Sequence, residues 1–291
     1  MSMALSLTTP SNSLQDKPTI AGVVLCLNEV SNLSRCLASL SWCDELLVVD
    51  SGSHDGSQRQ AIQLGARVRE HRQTGPFLIT AQRNWALDNG DLRSDWVLFL
   101  DADEAVGDAC RSAICRAVSN PGAPDGFELT PRYWFLGRWL KRTQGYPNWH
   151  PRLVRRGHLR FEGGVWESFP ENERVGRIQE PYEHFAFSKG IDDWIERHRR
   201  YADWDAQTIN DYLTTLDSRS LKTDRSLLLR RASSHLWPLR PVARFIQKYI
   251  IQMGFTEGWQ GLLFASLMAF YDLITVTKLI EIRYKQYGRN L

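Results

Sequence analysis

The sequence lacks paired cysteine motifs and has little net charge. Its five cysteines form no Cys-x-x-Cys pair, and they lie at Cys26, Cys36, Cys43, Cys110 and Cys115. An odd number of such cysteines argues against a disulfide framework or a zinc site and indicates a reducing compartment. A net charge of +3 over 291 residues is too small to indicate a nucleic-acid-binding protein. We therefore expect a cytoplasmic protein with no nucleic-acid partner.

A secretory signal and an uninterrupted membrane span are also missing. Residues 1–17 contain neither a basic region nor a long apolar core, so we interpret them as a disordered leader. The most apolar stretch, 261–280, is interrupted by Asp272 and Lys278. A charge in the middle of a bilayer is costly, which disfavours a transmembrane helix here.

The first part of the chain alternates short apolar runs with segments of helical length. The predicted strands are TIAGVVLCL, ELLVVD, ARVREH and DWVLFLD, and the predicted helices between them span 31–40, 57–64 and 78–89. Continuous apolar runs are typical of strands buried on both faces, as in a parallel sheet covered by helices. We predict an α/β fold with a mostly parallel, Rossmann-like sheet flanked by helices.

Polar side chains follow the ends of these predicted strands. Asn28 and Glu29 follow the first strand, Asp50 ends the second, and Asp101 ends the fourth. Ligands of such sheets bind at the carboxyl ends of the strands, near a switch in strand order. We expect these side chains to converge at one edge of the sheet.

The run DWVLFLDADE ends in crowded carboxylates. Asp101 and Asp103 point to the same side of a strand end, where unpaired carboxylates would repel and raise each other's pKa. Mg²⁺ or Mn²⁺ would resolve this, because such cations accept carboxylate oxygens and need few protein ligands when phosphates supply the rest. A solvated strand end with helix-capping acids is the alternative.

Two neighbouring segments favour the hypothesis that these carboxylates bind a cation that in turn holds a diphosphate. In VVDSGSHDGS, Asp50 precedes a Gly/Ser turn and is a candidate acceptor for a nucleoside. In AQRNWAL, Arg83 comes shortly before the acidic strand, where a guanidinium would balance phosphate charge. Each segment alone is equally compatible with an ordinary turn or a solvated helix face.

The order LCLNE, VVDSGSHDGS, AQRNWAL and VLFLDADE resembles the family 2 glycosyltransferases, which have the GT-A fold. The resemblance spans about residues 18–190 and is strongest for the subgroup that adds sugars to lipopolysaccharide or lipooligosaccharide core. It implies an inverting transfer from a nucleotide-sugar with Mg²⁺ or Mn²⁺ as cofactor. A UDP-sugar, first of all UDP-glucose, is the implied donor, and a glycolipid or saccharide is the implied acceptor.

The resemblance also implies roles for individual residues. The residues implied in donor-nucleotide binding are Leu27, Asn28, Glu29, Asp50, Gln82, Arg83 and Asp101. The implied metal ligands are Asp103, Asp101 and His184, with Glu104 supporting the site. Residues proposed to steer phosphate are Arg152 and Arg155, and those proposed to stack on a sugar are Trp134, Trp139 and Trp149.

The stretch GGVWESF resembles the family segment that carries the catalytic base and commonly reads His-Glu. Here Trp166 replaces the histidine and Glu167 remains. An inverting transfer needs a carboxylate that takes the proton of the acceptor hydroxyl, so we predict Glu167 as the base. A surface glutamate in a β-loop is the alternative.

The composition changes along the second half of the chain. Residues 126–178 are rich in aromatics, Arg and Gly, which indicates irregular β-structure and loops. We predict a GT-A domain over 18–215 and a basic, amphipathic helical extension over 216–291. Between Arg219 and Lys248 there are eight Lys or Arg and one acid, a pattern that suits the interface of an anionic membrane. A helical cap on the core is the alternative. The first interpretation predicts peripheral association with the inner face of the membrane.

Two other functions compete on the sequence. A phosphatase with Asp101 as nucleophile also has an Asp-x-Asp strand, but that strand comes early in such enzymes and a Lys and paired-Asp motif follows it. A non-catalytic nucleotide-sugar-binding module would need Asp50 and Asp103 but not Glu167. Turnover by a Glu167→Gln variant and phosphate release from a simple phosphoester separate these cases.

Overall fold

A computed structural model describes residues 17–75, 77–163, 167–215 and 235–286. The strands are β1 (Ile20–Cys26), β2 (Glu45–Asp50), β3 (Arg67–Glu70), β4 (Trp96–Asp101), β5 (Glu104–Ala105), β6 (Gly126–Phe135), β7 (Arg138–Trp139), β8 (His150–Arg155), β9 (Glu162–Gly163), β10 (Glu167–Ser168) and β11 (Val175–His184). The α-helices are α1 (Val30–Ser39), α2 (Ser57–Gln63), α3 (Ile79–Asn89), α4 (Asp108–Val118), α5 (Ile191–Thr215), α6 (Arg240–Phe245) and α7 (Gly258–Gln286). Short helical turns at Trp237–Leu239, Ile246–Ile251 and Gly254–Glu257 flank α6 and α7.

The main sheet has the strand order β3–β2–β1–β4–β8–β6–β11–β5. Strands β3, β2, β1 and β4 are parallel, as the continuous apolar runs predict. Strand β8 runs antiparallel to both β4 and β6, and β11 is parallel to β6. The predicted α/β fold with helices on the sheet is confirmed.

The segment from 126 to 178 is more regular than its composition indicated. It supplies β6, β8 and the start of β11, which belong to the main sheet. Register shifts interrupt the pairing of β6 with β8 after Phe127, and that of β6 with β11 after Ile178. These irregularities, together with charged side chains on the strands, obscure the alternation of apolar residues in the sequence.

Helices cover both faces of the parallel strands. Every residue of β1 is buried. Val24 packs in the cluster that contains Leu33 of α1 and Ile114 of α4, whereas Val23 packs with Ala86 of α3. Burial on both faces explains why the strand sequences are apolar without alternation.

The strand order reverses next to β1, which lies between β2 and β4. Cys26 of β1 pairs with Asp50, and Leu25 pairs with Asp101, so the carboxyl ends of the three strands are adjacent. A reversal of this kind opens a crevice at the carboxyl edge, where ligands of α/β sheets bind.

The C-terminal helices pack on α5. Ala206 and Ile209 of α5 form an apolar cluster with Leu279 of α7. Asp272 of α7 is buried and accepts hydrogen bonds from Arg240 at 2.9 Å and Arg244 at 2.7 Å. Residues 1–16 of the predicted leader, and residues 216–234 and 287–291 of the predicted extension, lie outside the described residues. The stretch Gly254–Gln286 is long and apolar enough to cross a membrane by length and composition alone.

Candidate active site

Strand β4 ends in carboxylates that lie among arginines. Glu104 is completely buried, Asp103 is buried, and the Asp101 side chain is 27% exposed. Glu104 accepts a hydrogen bond from the backbone N–H of Asp101 at 2.9 Å, which fixes the turn after the strand. The alternative of a solvated strand end is therefore wrong, because two of its three acids are removed from solvent.

Two buried arginines neutralise these acids. Arg152 of β8 donates to Glu104 at 2.9 Å and to Glu167 at 2.5 Å, and its distance to Asp101 is 3.5 Å. Arg83 of α3 is completely buried, and it donates to Glu167 and, at 3.3 Å, to Asp101. The two guanidiniums thus join residues from four parts of the chain into one cluster, which we call the charge cluster: Arg83, Asp101, Glu104, Arg152 and Glu167.

Burial and the neighbouring charges shift the pKa of two members of the charge cluster, Arg152 and Glu104. Burial lowers the pKa of Arg152, but Glu104, Tyr182 and Glu167 raise it well above its ordinary value. Burial raises the pKa of Glu104, and the nearby Arg152 only partly opposes this. Arg152 therefore stays charged, and its charge holds the cluster together.

Glu167, the predicted base, lies inside the cluster. It begins β10, which pairs with β9, and both of its carboxylate oxygens accept hydrogen bonds from arginines. Its side chain is 6% exposed, so the alternative of a surface glutamate is wrong. Trp166, the residue that replaces the family's histidine, lies outside the described residues.

Asp103 and His184 face each other beside the cluster. His184 ends β11 and pairs with Glu104 in the sheet, and its Nε2 is 3.5 Å from a carboxylate oxygen of Asp103. Burial raises the pKa of Asp103, but His184 and Arg197 hold it well below its usual range. Burial lowers the pKa of His184, yet Asp103 and Glu104 raise it above its ordinary value.

The three predicted metal ligands are partly consistent with a cation site. Among the described residues, no three His, Cys, Asp or Glu side chains form a ready-made metal cage. The buried Nδ1 of His184 has no hydrogen-bond partner and lies 3.6 Å from a carboxylate oxygen of Glu104, and Asp101 keeps an exposed edge. Carboxylates with one imidazole suit a cation such as Mn²⁺ or Mg²⁺ that takes its other ligands from phosphate and water. The donor set of Asp101, Asp103 and His184 fits that chemistry.

The predicted nucleotide-binding loop is held by side chains of the next loop. Asn28 adopts a left-handed backbone conformation with φ 55°, which asparagine tolerates well. Its backbone N–H donates to Ser53 at 2.8 Å, and its side-chain oxygen accepts from the His54 N–H at 2.8 Å. Leu27 next to it is exposed at the mouth of the crevice.

Asp50 organises the turn that follows β2. It is completely buried and accepts hydrogen bonds from the backbone N–H groups of Gly52 and Ser53 and from the side chain of Gln58. Burial raises the pKa of Asp50, but these hydrogen bonds lower it below its usual value. Gly52 has φ 100°, a backbone conformation that other residues rarely adopt, which explains the glycine at this turn.

Glu29 and Gln82 are also tied to protein partners. Lys189 donates to Glu29 at 2.6 Å, and it also reaches the backbone carbonyl of Asn28 at 3.2 Å. Gln82 is buried on α3, and its side-chain amide donates to Ser51 at 3.1 Å. Both residues therefore lie at the carboxyl edge of the sheet, where convergence was predicted for Glu29.

Some residues predicted from the sequence lie elsewhere or pack against the protein. Arg155 pairs with Trp96 at the start of β4, the opposite end from the crevice, so its predicted contact with phosphate is wrong. Trp134 donates to Glu183 at 2.5 Å, Trp139 lies against the Arg132 guanidinium, and Trp149 lies against the Arg177 guanidinium.

Sequence reasoning missed the contribution of α5. Lys189 precedes this helix, and Arg197 within it lies 3.8 Å from Asp103. Both residues also pair with Asp193, which lies four residues from each. That four-residue spacing was the available signal, but it is equally typical of a solvated helix face.

The chain is similar in sequence or structure to several known proteins. Residues 23–127 match the family model of Glycosyl transferase family 2. The lipopolysaccharide core biosynthesis glycosyltransferase LpsC of Rhizobium meliloti (strain 1021) is 24% identical over 277 residues, with 91% of this chain and 93% of LpsC covered. Glucosyl-3-phosphoglycerate synthase from Mycobacterium tuberculosis, solved with Mn²⁺, UDP and glucosyl-3-phosphoglycerate, is 16% identical with a TM-score of 0.42, covering 62% of this chain and 78% of that one.

The switch point of this α/β sheet brings carboxylates and arginines from separate parts of the chain together at one edge. With the family match and the relative that spans nearly the whole chain, the protein is a glycosyltransferase. Residues 23–127 of the chain carry its match to glycosyl transferase family 2. The phosphatase and non-catalytic alternatives are thereby rejected.

Proposed function

We propose that the protein is an inverting, divalent-cation-dependent glycosyltransferase that transfers glucose from UDP-glucose to a glycolipid or saccharide acceptor of the lipopolysaccharide core. The charge cluster at the carboxyl end of β4 is the observation that carries this proposal. The relative LpsC, a lipopolysaccharide core biosynthesis glycosyltransferase, supports the class of acceptor. A lipid-linked acceptor also supports a cytoplasmic enzyme at the inner face of the membrane.

On the donor side, Asp101, Asp103 and His184 would hold Mg²⁺ or Mn²⁺. A bound cation neutralises the negative charge of the departing diphosphate. Leu27, Asn28, Glu29, Asp50 and Gln82 would surround the nucleoside. Arg83 and Arg152 supply fixed positive charge in a site with little water, where electrostatic stabilisation of a leaving group is strongest.

On the acceptor side, Glu167 would take the proton of the attacking hydroxyl. The new bond forms between the acceptor oxygen and the anomeric carbon as the bond to the diphosphate breaks, so the configuration inverts and UDP leaves. Both oxygens of Glu167 accept from Arg83 and Arg152 in this structure. A donor diphosphate competes for the same guanidiniums, so we propose that donor binding precedes proton transfer to Glu167.

The test is sugar transfer to purified lipopolysaccharide core from a panel of UDP-sugars and GDP-sugars, with product configuration determined by NMR. We expect UDP-glucose to be used with inversion, and Glu167→Gln to lose at least about a hundredfold in kcat. Glu162→Gln is the matched control, because Glu162 is exposed in the same two-stranded ribbon. Retention of configuration, or full activity of Glu167→Gln, would refute the mechanism, and use of a GDP-sugar would refute the donor.

A further inference from the structure

The C-terminal helices expose their apolar side chains. Side chains of α6, of the two turns that follow it and of the start of α7 form a surface that we call the outer face: Val242, Ile246, Ile250, Ile251, Phe255 and Trp259. Ile251 is 72% exposed and Trp259 is 60% exposed. Six large apolar side chains exposed within 18 residues of sequence are more than scattered surface residues and point to an interaction site.

The charged side chains of the same segment are turned inward. Arg240 and Arg244 bind the buried Asp272, and Lys248 donates to the backbone carbonyl of Thr143 at 2.6 Å. A helix on the surface of a soluble protein has the opposite arrangement, with apolar residues inside and charges outside. The basic residues that the sequence offers here are thus used within the protein, and the outer face is left apolar.

A rim of cations borders the outer face. The segment 136–146 contains three exposed basic residues, Arg138, Lys141 and Arg142, and no acid. Arg138 donates to the Thr256 carbonyl at 3.2 Å, which joins this segment to the outer face. The single acid of 239–263, Glu257, is buried and accepts from the backbone N–H of Arg142 at 2.6 Å. No exposed negative charge therefore lies in these two described segments.

An open cavity lies where the rim meets the outer face. Its volume is about 390 Å³, and its lining residues are Lys141, Arg142, Gly145, Tyr146 and Gln252. Gln252 directly follows Ile251 of the outer face. Two cationic side chains that line such a cavity, beside apolar side chains, match a phosphate attached to an acyl chain.

We propose that the outer face and its cationic rim dock on a lipid bilayer that contains anionic lipids. The apolar side chains enter the interfacial region, and the phosphate of an anionic lipid binds in the cavity between Lys141 and Arg142. Apolar burial and attraction to anionic lipids act together at such an interface. This proposal does not depend on the donor, the acceptor or the stereochemistry proposed above.

The charges favour a bilayer over a second copy of the chain. In a two-fold dimer the same patch meets itself, so Arg138, Lys141 and Arg142 of both copies would share one interface that contains no exposed acid from the two segments. The packing also favours docking over insertion of α7 across the membrane. Asp272 is held by two arginines, and Lys278 of α7 pairs with Asp203 of α5. Insertion would break these contacts.

The experiment measures co-sedimentation of the full chain with vesicles of phosphatidylcholine alone and of an equal mixture of phosphatidylcholine and phosphatidylglycerol. Three double variants are compared with the wild type. Ile250→Glu with Ile251→Glu changes the outer face, and Lys141→Gln with Arg142→Gln changes the rim. Arg59→Gln with Ile62→Glu is the matched control, because both residues are exposed on α2.

We expect the wild type and the control to bind the anionic vesicles strongly. The rim variant should bind them about 30-fold more weakly, at roughly fivefold for each cation, and the outer-face variant should lose binding to both kinds of vesicle. The far-UV circular dichroism spectrum and the melting temperature of each variant, unchanged from the wild type, verify the fold and keep this test separate from that of the proposed function. Equal binding by all variants, no binding by the wild type, or a wild-type dimer that the outer-face variant dissociates would overturn the proposal.

Discussion

Replacement of Arg152 by leucine should be among the most damaging single changes in the protein. Arg152 is 4% exposed and lies within 3.5 Å of three carboxylates, those of Asp101, Glu104 and Glu167. Leucine fills much of the same space but leaves these acids without their shared counter-charge. The cost is therefore electrostatic and concerns the acids that remain.

The magnitude follows from the burial of those acids. Removing one partner of a buried ion pair costs about 3–5 kcal/mol, because the remaining charge is left uncompensated. Glu104 has no exposed surface, so water cannot replace the guanidinium. For a chain of this size the loss lowers the melting temperature by roughly 10 °C.

Chemical denaturation of the wild type and of Arg152→Leu measures this cost. Arg155→Leu is the matched control on the same strand, because the single ion pair of Arg155, with Asp125 at 3.6 Å, is partly solvated. The control should change the free energy of unfolding by less than about 1 kcal/mol. A double variant, Arg152→Leu with Glu104→Gln, should recover part of the loss, since the uncompensated charge is then removed. A loss below about 1 kcal/mol in Arg152→Leu, or no recovery in the double variant, would refute the electrostatic reasoning.

Three further predictions concern other parts of the molecule. Lys189→Met removes the 2.6 Å ion pair to Glu29 and should weaken UDP binding about tenfold in a calorimetric titration, whereas unchanged affinity would separate Glu29 from the donor site. Asp272→Asn should destabilise the C-terminal helices by about 3 kcal/mol in denaturation experiments, because Arg240 and Arg244 lose their buried counter-charge. A loss under about 1 kcal/mol would contradict this prediction. Burial, and to a smaller extent the positive charge of Arg244, lowers the pKa of Lys248 from 10.5 to about 8. Between pH 8 and pH 10.5 the unfolded chain therefore binds a proton that the folded chain does not. The wild type should therefore gain stability relative to Lys248→Met as the pH rises from 8 to 10.5, and a constant difference would contradict the assignment.

The fold was predictable where burial alone determines the sequence. Strands β1 and β4 are buried over most of their length, so their apolar runs predicted both the strands and the edge at which Asp50 and Asp101 lie. Strand β11 was harder to predict. Its residues are mostly half-buried, and one of them, Glu183, is bound by Arg132 on the neighbouring strand.

The partners of the site residues were only partly predictable. The Asp-x-Asp pattern predicts acids at a strand end but not the cations that meet them, since Arg152 follows Glu104 by 48 residues. The cations that bind Glu167 were likewise not predictable from the sequence. The family resemblance marked it as the base, yet its pairing with Arg83 depends on a contact across 84 residues of sequence.

The side of a helix that carries its charges was also not predictable from composition. Eight basic residues between Arg219 and Lys248 indicated a cationic surface. In the described residues, Arg240 and Arg244 instead turn toward Asp272, an acid that lies beyond this stretch. The exposed cations near the outer face come from the segment 136–146, which the sequence pattern did not connect with the C-terminal helices.

The measurement that tests the account most directly is calorimetric titration of the purified protein with UDP, with and without Mn²⁺, for the wild type and for Asp103→Asn. Asp103→Asn retains the size of the side chain and removes its charge. We predict that the wild type binds UDP much more tightly with Mn²⁺ than without it, and that Asp103→Asn loses this difference. Equal metal-dependent binding by Asp103→Asn, or no binding of UDP by the folded wild type, would contradict the assignment of the strand end as the donor site.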